Sequence, residues 1–223
     1  MKIVRNYVGK SRKMLRYFKE EGFFIALSRI FCSVFRMLLK YEKMYLYELD
    51  ISQSVFLLKC PLPIRFTVAS VKEIYALDNF MYQDENDIRR RFIHGDTCFL
   101  GYLSNKIVYI SWIDYQRILI PEIDKEIPIN STNAYIYNVR TDHEYRRRGI
   151  SSYAYTKIAE YLKEHKVTKL FVAVSNNNGA SVKSIEKAGF IRIRKITYIK
   201  ILCLFKRYYE KDLLSEAKLY VQG

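Results

Sequence analysis

The chain has 223 residues, of which 50% are hydrophobic and 15% aromatic. This composition excludes a largely disordered protein and predicts one domain with an appendage, because such a chain buries a substantial core. A formal net charge of +15 predicts attraction to anions such as a nucleotide-sugar, an acidic membrane or nucleic acid, without choosing among them.

Cysteine and histidine spacing argues against a metal site and against a disulfide framework. The cysteines contain no C-x-x-C pair, and the histidines are isolated from one another in the sequence. We therefore expect no metal, reduced thiols and a cytoplasmic location. The residues concerned are Cys32, Cys60, Cys98, Cys203, His94, His143 and His165.

Residues 1–60 are predicted to form a basic, amphipathic helical extension. Between Met1 and Lys43 there are 11 lysines and arginines but only three glutamates. Arg29 and Arg36 interrupt the apolar part, which argues against a transmembrane span, and no signal-peptide cleavage site is evident. Two alternatives stay open. In the first, residues 1–43 lie peripherally on the anionic inner face of a membrane. In the second, the helix packs against protein, either the rest of the chain or the partner in a homodimer.

A proline-containing linker, residues 60–63, predicts a domain over residues 61–210 and a tail at 211–223. Residue 70 is a predicted helix N-cap, with Glu73 completing a capping box. The polar stretch 116–131 is predicted to be a long insertion loop. Periodicity predicts strands at 64–69, 97–103 and 106–115 and helices at 70–80 and 87–94.

An arginine-rich turn, residues 145–152, joins a predicted strand at 133–140 to a predicted helix at 151–165. Gly149 lets a ligand approach the backbone closely, and the free N–H groups at the helix start favour an anion. The three arginines at 146–148 add charge-assisted hydrogen bonds to phosphate. The residues alone therefore predict a pyrophosphate-binding turn.

A second strand, turn and helix follow. Residues 168–174 predict a buried strand, and residues 180–188 predict a helix that Gly189 stops. Residues 190–204 alternate as one or two closing strands, and residues 212–221 predict a terminal helix.

The two segments together resemble the GNAT (GCN5-related N-acetyltransferase) superfamily. Arg146-x-x-Gly149-x-Ser151 is similar to the family's R/Q-x-x-G-x-G/A signature, which holds the pyrophosphate of acetyl-CoA. Residues 172–190, with Asn178 and Ser181, are similar to the family's later strand, its N-x-x-S/A turn and a helix ending in Gly-Phe. The two motifs, in order and covering residues 133–190, are more specific than either alone.

The resemblance implies an α+β, sandwich-like fold with a mixed, largely antiparallel sheet flanked by helices. It also implies acetyl-CoA as co-substrate, and transfer of an acetyl group to a primary amine of a small molecule such as an amino-sugar. The residues that the family's pattern assigns to acetyl-CoA are Val139, Arg140, Thr141, Arg146, Arg147, Arg148, Gly149, Ile150, Ser151, Ser152, Asn178 and Ser181.

Two positions depart from the family's pattern. Ser151 replaces the usual Gly or Ala, a small change at an early helical position. Ile185 stands where many members have a tyrosine thought to protonate the departing thiolate, and isoleucine donates no proton. Because a thiol has a pKa of about 8.5, its thiolate leaves readily and the loss need not abolish activity.

The sequence does not determine the general base. The strand before the turn has no carboxylate, so the candidates are Tyr135 and Tyr137, which share one face, and Asp114 on the neighbouring strand. A tyrosine would act only with a depressed pKa or by ordering water. Packing roles for the tyrosines, a strand-end role for Asp114 and a base-free mechanism stay open.

Acceptor selection in the family falls to loops that correspond to residues 81–86 and 116–131 here. Two other functions stay open: a non-catalytic acyl-CoA-binding module and a membrane-surface interaction protein. Nucleic-acid binding is not predicted, because aromatic residues do not interleave with the basic cluster and no nucleic-acid motif is present.

Overall fold

The computed structural model describes residues 39–52, 58–73, 84–201 and 205–214. Over these ranges the strands are β1 (Leu39–Asp50), β2 (Ile64–Val68), β3 (Thr97–Leu103), β4 (Lys106–Asp114), β5 (Arg117–Ile120), β6 (Lys125–Pro128), β7 (Asn133–Thr141), β8 (Lys169–Ser175), β9 (Ile191–Ile201) and β10 (Phe205–Asp212). The helices are α1 (Glu85–His94), α2 (Ile150–Glu164) and α3 (Gly179–Lys187).

Eight of these strands form one mixed sheet in the order β10-β9-β1-β8-β7-β4-β3-β2, and β5 pairs with β6 in a separate hairpin. The β7–β8 pair is parallel, whereas the pairs β1–β8, β2–β3, β3–β4 and β4–β7 are antiparallel. The helices α2 and α3 pack on one face of the sheet, and α1 packs on the other. The predicted α+β fold, a largely antiparallel sheet flanked by helices, is confirmed.

Side-chain alternation along β4 and β7 divides the core between the two faces of the sheet. On one face, Ile136 packs with Tyr155 and Ile158 of the apolar stripe of α2. On the other face, Trp112 packs with Ile88 of α1. Each fully buried apolar side chain of this size contributes about 1.5–3 kcal/mol, so these layers hold the helices on the sheet.

Most elements predicted between residues 64 and 201 are confirmed to within a few residues. The capping box is also present, since the side chain of Glu73 accepts a hydrogen bond from the backbone N–H of Ser70 at 2.7 Å. It starts a short 3-10 turn, Val71–Glu73, and the rest of the helix predicted there lies outside the described residues. The same holds for residues 215–221 of the predicted terminal helix.

The prediction of a helical extension up to residue 60 is wrong for residues 39–50, which form β1 inside the sheet. Leu46 and Tyr47 point to opposite faces of β1 and both are buried. A strand covered on both faces lacks the polar alternation that marks a strand in a sequence. Residues 1–38 lie outside the described residues, so the amphipathic helix stays a prediction there.

The prediction of a long insertion loop at residues 116–131 is also wrong, because the hairpin β5–β6 forms there. Ile118, Ile120 and Ile123 of this segment are buried, which anchors it to the body of the protein. Its two prolines are compatible with the hairpin. Pro121 begins the 3-10 turn between the strands, and Pro128 ends a strand of a two-stranded sheet, where prolines are tolerated.

Contacts define two compact units, Met1–Tyr41 with Tyr198–Tyr208, and Glu42–Thr197 with Tyr209–Gly223. In the smaller unit, the ring of Tyr198 lies 5.1 Å from that of Tyr208 and 5.9 Å from Nζ of Lys40. The site residues described below all belong to the larger unit. Among the helices that the structure describes, none has the length and apolar character of a transmembrane span.

Candidate functional site

The predicted pyrophosphate turn lies between the end of β7 and the start of α2. Gly149 has a φ of 76°, a left-handed conformation that suits glycine, and it directly precedes Ile150, the first residue of α2. A Cβ atom at Gly149 would have no heavy atom within 4 Å beyond its chain neighbours, so the space at the turn is open. The N–H groups of the first helical turn have no intrahelical acceptors, which leaves an anion site at the positive helix end.

The side chains of Arg146, Arg147 and Arg148 are all exposed at this turn. Nε of Arg146 donates a hydrogen bond to the carbonyl of Thr141 at 3.1 Å, which ties the turn to the end of β7. The hydroxyls of Thr141 and Ser151 lie 2.9 Å apart. The serine that departs from the family's pattern therefore makes a contact that closes the turn.

A bulge interrupts β7 shortly before the turn. Along β4 the paired residues step from Trp112 to Ile110, whereas along β7 they step from Tyr137 to Arg140, so β7 holds one extra residue. Asn138, within this step, has a φ of 50°. Bulges of this kind are common beside active sites because they redirect the backbone and the side chains that follow.

The strands β7 and β8 separate over their second halves. Their parallel ladder ends at the pair Ile136 and Val172, although β7 continues to Thr141 and β8 to Ser175. Among the described residues, Val139 and the rest of β7 up to the arginine-rich turn therefore have no ladder partner on β8. Backbone groups on this side of β7 are therefore accessible to an extended ligand.

The second motif places the start of α3 next to α2. Oδ1 of Asn178 accepts a hydrogen bond from the N–H of Ser181 at 3.2 Å and so caps α3. The hydroxyls of Ser152 and Ser184 lie 3.0 Å apart and join the two helices, so the side chain of Ser152 is directed into this contact. Ile185 is 1% exposed and belongs to the core, so this position supplies no proton donor.

A cavity of about 410 Å³ lies on the opposite face of the sheet, and we call it the α1-side cavity. The structure brings the three predicted catalytic candidates, Tyr135, Tyr137 and Asp114, together in its wall. The wall is charged as well as aromatic, since it contains three aspartates, three arginines and a histidine. Its residues are Asp87, Arg90, Arg91, His94, Asp96, Asp114, Arg117, Leu119, Tyr135 and Tyr137.

The carboxylate of Asp114 is hydrogen-bonded to the backbone at the start of the hairpin that follows it. Its Oδ1 accepts hydrogen bonds from the N–H groups of Gln116 at 2.8 Å and Arg117 at 3.1 Å. Its Oδ2 lies 3.6 Å from Nε of Arg117. These contacts give Asp114 the strand-end role that the sequence left open, which is to position β5.

Tyr135 and Tyr137 stack with ring centroids 6.0 Å apart. Burial, and then the charges of Glu122 and Asp114, raise the pKa of Tyr135. Burial, and then the hydrogen bond to Asp96, raise the pKa of Tyr137. A tyrosine base requires a depressed pKa, so the raised values favour protonated phenols that line the cavity, and ordering water stays the open role for either residue.

Sequence reasoning missed Asp96 and treated His94 as isolated. In the structure, the hydroxyl of Tyr137 donates to Oδ2 of Asp96, and Nδ1 of His94 lies 2.8 Å from Oδ1. The guanidinium of Arg91 lies 5.0 Å from the centroid of the Tyr137 ring. The only sequence feature that marks this place is Gly95, which ends α1 between His94 and Asp96. No local feature predicts the contact of Asp96 with Tyr137, which lies 41 residues later.

His94, Asp96 and Asp114 also have the spacing of a candidate cation site, with one ligand atom of each within 4.8 Å of the others. Nδ1 of His94, both carboxylate oxygens of Asp96 and Oδ1 of Asp114 are already used in the hydrogen bonds given above. We therefore interpret the cluster as a hydrogen-bonded network.

The hairpin β5–β6 contributes Arg117 and Leu119 to the wall of the α1-side cavity. Its other end is tied to β10, where Glu210 pairs with both Lys125 and Arg194. Burial opposes the ionisation of Glu210, but the hydrogen bonds and charges of the two cations outweigh it and lower its pKa. The hairpin is thus held at both ends.

Removing the charge of Glu210 is expected to loosen the hairpin. In Glu210→Gln, amide exchange of residues 125–127 should become about 2- to 5-fold faster, equivalent to about 0.5–1 kcal/mol for a partly exposed pair. Lowering the pH should loosen the hairpin of the wild type in the same way. Because the folded pKa is lowered, this stabilisation is present above the ordinary value of 4.5 and is lost as pH falls through the folded value.

The matched control for this prediction is Glu164→Gln, which removes an exposed carboxylate from the end of α2. It changes the net charge by the same amount and should leave the exchange of residues 125–127 unchanged. Equal exchange rates in Glu210→Gln and the wild type would contradict the role given to the ion pairs.

A model of the Acetyltransferase (GNAT) family matches residues 68–190, which is more than half of the chain. The chain belongs to this family. The match includes the arginine-rich turn, the start of α3 and every residue named in the wall of the α1-side cavity. No curated protein matches the chain.

Solved GNAT structures share the fold. An acetyltransferase from Colwellia psychrerythraea has a TM-score of 0.54 at 15% identity, over 78% of this chain and 61% of that one. An N-acetyltransferase from Kribbella flavida has a TM-score of 0.51 at 12% identity, over 78% and 63%. A glucosamine N-acetyltransferase region of a fungal multi-domain GH3 β-N-acetylglucosaminidase has a TM-score of 0.56 at 11% identity, over 85% of this chain. The chain covers 23% of that fungal protein and under two thirds of the other two.

Proposed function

We propose that this GNAT protein is an acetyl-CoA-dependent N-acetyltransferase whose acceptor is a primary amine of a small molecule, such as an amino-sugar. The observation that carries the proposal is the position of β7. Its end leads into the Gly149 turn, while Tyr137 on the same strand lines the α1-side cavity. A thioester lying along β7 would therefore have a phosphate site at one end and an amine site beside its reactive carbon.

The residues along this path suit acetyl-CoA. The backbone of Val139, Arg140 and Thr141 would hold the thioester arm and polarise its carbonyl. The turn from Arg146 to Ser152 would bind the pyrophosphate, and the open space at Gly149 fits that role. Asn178 and Ser181, at the start of α3, would contact the cofactor near its thioester. No step requires a metal.

Departure of CoA needs no acid from this chain. Ile185 is buried in the core at the position of the family's tyrosine. A thiol with a pKa of about 8.5 is a good leaving group as the thiolate, and solvent protonates it afterwards. The chain's main tasks are therefore to orient the two substrates and to take a proton from the amine.

The charge distribution of the α1-side cavity supports an amine that also carries an anionic group. The side chains of Asp96 and Asp114 are each 6% exposed, whereas that of Arg90, which pairs with Asp87, is 74% exposed. An ammonium group would meet negative charge inside, and an anionic group would meet arginine at the mouth. A nucleotide-linked amino-sugar has this combination.

The test is acetyl transfer by the full chain to a panel of amines, read by thiol release and by mass of the product. The panel contains UDP- and dTDP-linked amino-sugars, the free amino-sugars, polyamines and lysine-containing peptides. We expect turnover with amino-sugars, and faster turnover with the nucleotide-linked forms. Turnover confined to peptides would contradict the sugar acceptor, and no CoA release with any amine would contradict the acetyltransferase.

Two observations favour a second function, a non-catalytic acyl-CoA-binding module. Ile185 supplies no acid, and the pKa values of both tyrosines in the cavity are raised. Tight binding of acetyl-CoA without transfer to any member of the same panel would support this function. Detectable acetyl transfer would exclude it.

We also propose that the basic residues of 1–43 attach the enzyme peripherally to an anionic membrane surface. The support is the charge of this segment, 11 basic residues against three acidic ones. Deleting residues 1–38, which lie before β1, should abolish co-sedimentation with vesicles that contain acidic lipids. Unchanged sedimentation would contradict attachment, and a shift from dimer to monomer would instead assign the segment to a homodimer interface.

A further inference from the structure

The end of α1 brings His94 and Asp96 side by side through a tight backbone motif. Gly95 has a φ of 93°. Its N–H donates a hydrogen bond to the carbonyl of Phe92 at 3.1 Å, and the N–H of Asp96 donates one to the carbonyl of Arg91 at 3.0 Å. This pair of bonds is a Schellman helix end, which reverses the chain direction sharply. The carbonyl of His94 is held separately by the side chain of Gln116 at 3.1 Å.

The hydrogen bonds of Asp96 fix which nitrogen of His94 carries the proton. A carboxylate only accepts hydrogen bonds, so the nitrogen facing it, Nδ1 at 2.8 Å, is the protonated one. The other carboxylate oxygen accepts from the hydroxyl of Tyr137, so Asp96 is held from both sides. In neutral His94, the lone pair is therefore on Nε2.

The ring of His94 lies between the buried carboxylate of Asp96 and the α1-side cavity. The buried carboxylate of Asp96 is in direct contact with the ring, and the carbonyl end of α1 carries the negative end of the helix dipole. His94 is 31% exposed through its side chain and lines the α1-side cavity, so an amine there can reach it. Burial raises the pKa of the neighbouring tyrosines, and Asp114 is bound to the hairpin backbone, so none of these groups competes for the role.

We propose that His94 is the general base of the transfer, with Asp96 and Tyr137 as positioning residues. The assignment rests on the acetyltransferase function proposed above. Nε2 takes one proton from the substrate ammonium, directly or through one water. The freed nitrogen lone pair forms the C–N bond to the thioester carbon, and the C–S bond breaks with its electron pair on sulfur. The second amine proton goes to the thiolate through solvent, and His94 returns its own proton to solvent.

The test measures kcat/KM against pH for the wild type and for His94→Ala, with calorimetric acetyl-CoA affinity as the check on folding and cofactor binding. We expect kcat/KM at neutral pH to fall about 10²- to 10⁴-fold in His94→Ala, with unchanged acetyl-CoA affinity. Added imidazole should restore part of the rate. The loss of activity at low pH that we expect of the wild type should disappear from the variant's profile.

The matched control is His165→Ala. His165 also follows the end of a helix, α2, but its Nδ1 contacts the carbonyl of Tyr161 and it does not line the cavity. Its removal should leave kcat/KM and the pH profile unchanged.

The charged or titratable groups that share the cavity wall with His94 are Asp87, Arg90, Arg91, Asp96, Asp114, Arg117, Tyr135 and Tyr137.

Positioning by Asp96 and Tyr137 has its own readout. In Asp96→Asn the pH profile should move and kcat should fall with little change in KM, because the amide no longer stabilises the imidazolium. Tyr137→Phe should give a smaller change in the same direction. A merely structural role would instead lower the stability of the fold and leave the profile of the folded enzyme unchanged.

Three results would overturn the assignment. The first is an active wild type whose rate and profile are unchanged in His94→Ala, which leaves the acetyltransferase function intact and removes only this base. The second is activity abolished by a chelator and restored by zinc, which would make the cluster a metal site. The third is a wild type that transfers acetyl to no amine, which contradicts both the proposed function and the base.

Discussion

Replacing Gly149 by valine is expected to raise the dissociation constant for acetyl-CoA by about 10- to 100-fold. The residue has a φ of 76°, and a β-branched side chain is strained in that conformation. The new side chain would also occupy the open space at the turn, where the pyrophosphate is proposed to bind. Calorimetric titration of wild type and variant measures the change, with unfolding by urea to check that the fold survives.

The control for this prediction is Gly95→Val. Gly95 has a φ of 93°, and a Cβ atom there would also meet nothing within 4 Å, so the two substitutions share the same backbone cost. Gly95 lies at the end of α1, on the other face of the sheet. Its replacement should lower stability to a similar extent without changing acetyl-CoA affinity. Equal affinity losses in both variants would show that Gly149 acts only through stability.

Converting Arg146, Arg147 and Arg148 together to glutamine is expected to weaken acetyl-CoA binding by about 100-fold at low salt. Hydrogen bonds to charged groups contribute about 1.5–3 kcal/mol each, and several are proposed at the turn. The effect should shrink as ionic strength rises, because these side chains are exposed and their charges are screened.

Net charge alone must be separated from local contact in this experiment. Lys163, Lys166 and Lys187 are exposed residues at the far ends of α2 and α3, so changing all three to glutamine removes the same charge elsewhere. We expect this control to change acetyl-CoA affinity by less than about threefold. An equal loss in both triple variants would mean that the protein attracts acetyl-CoA through overall charge and has no pyrophosphate site at the turn.

The conformations of the arginine-rich turn and of the start of α3 were predictable from the sequence because their determinants are local. Gly149, the arginines before it and the first residues of α2 are consecutive, and a left-handed glycine between strand and helix needs no distant contact. The capping of α3 by Asn178 spans only three residues. Local hydrogen bonding and periodicity therefore determine both motifs.

The errors in the fold arose where burial depends on distant partners. β1 is covered on both faces and pairs with β8, more than 100 residues later, so its sequence shows no alternation. The hairpin β5–β6 mixes charged residues and two prolines with its buried isoleucines, and it is fixed by Glu210 on β10, 85 residues from Lys125. Neither relation is visible within a window of local sequence.

The composition of the α1-side cavity was predicted only in part for the same reason. Tyr135, Tyr137 and Asp114 do line one cavity, but the pKa of each tyrosine is raised by burial that the sequence does not reveal. The network of His94, Asp96 and Tyr137 joins the end of α1 to the middle of β7. Its members are unremarkable in the sequence and become a candidate base only when the sheet brings them together.

Titration calorimetry of the full chain would show whether the strand β7 and its turn bind acetyl-CoA. ATP and NADH serve as controls, because they carry pyrophosphate without the thioester arm. The account predicts a dissociation constant in the micromolar range for acetyl-CoA and much weaker binding of both controls. A folded protein that binds no acetyl-CoA, or binds all three ligands equally, would contradict it.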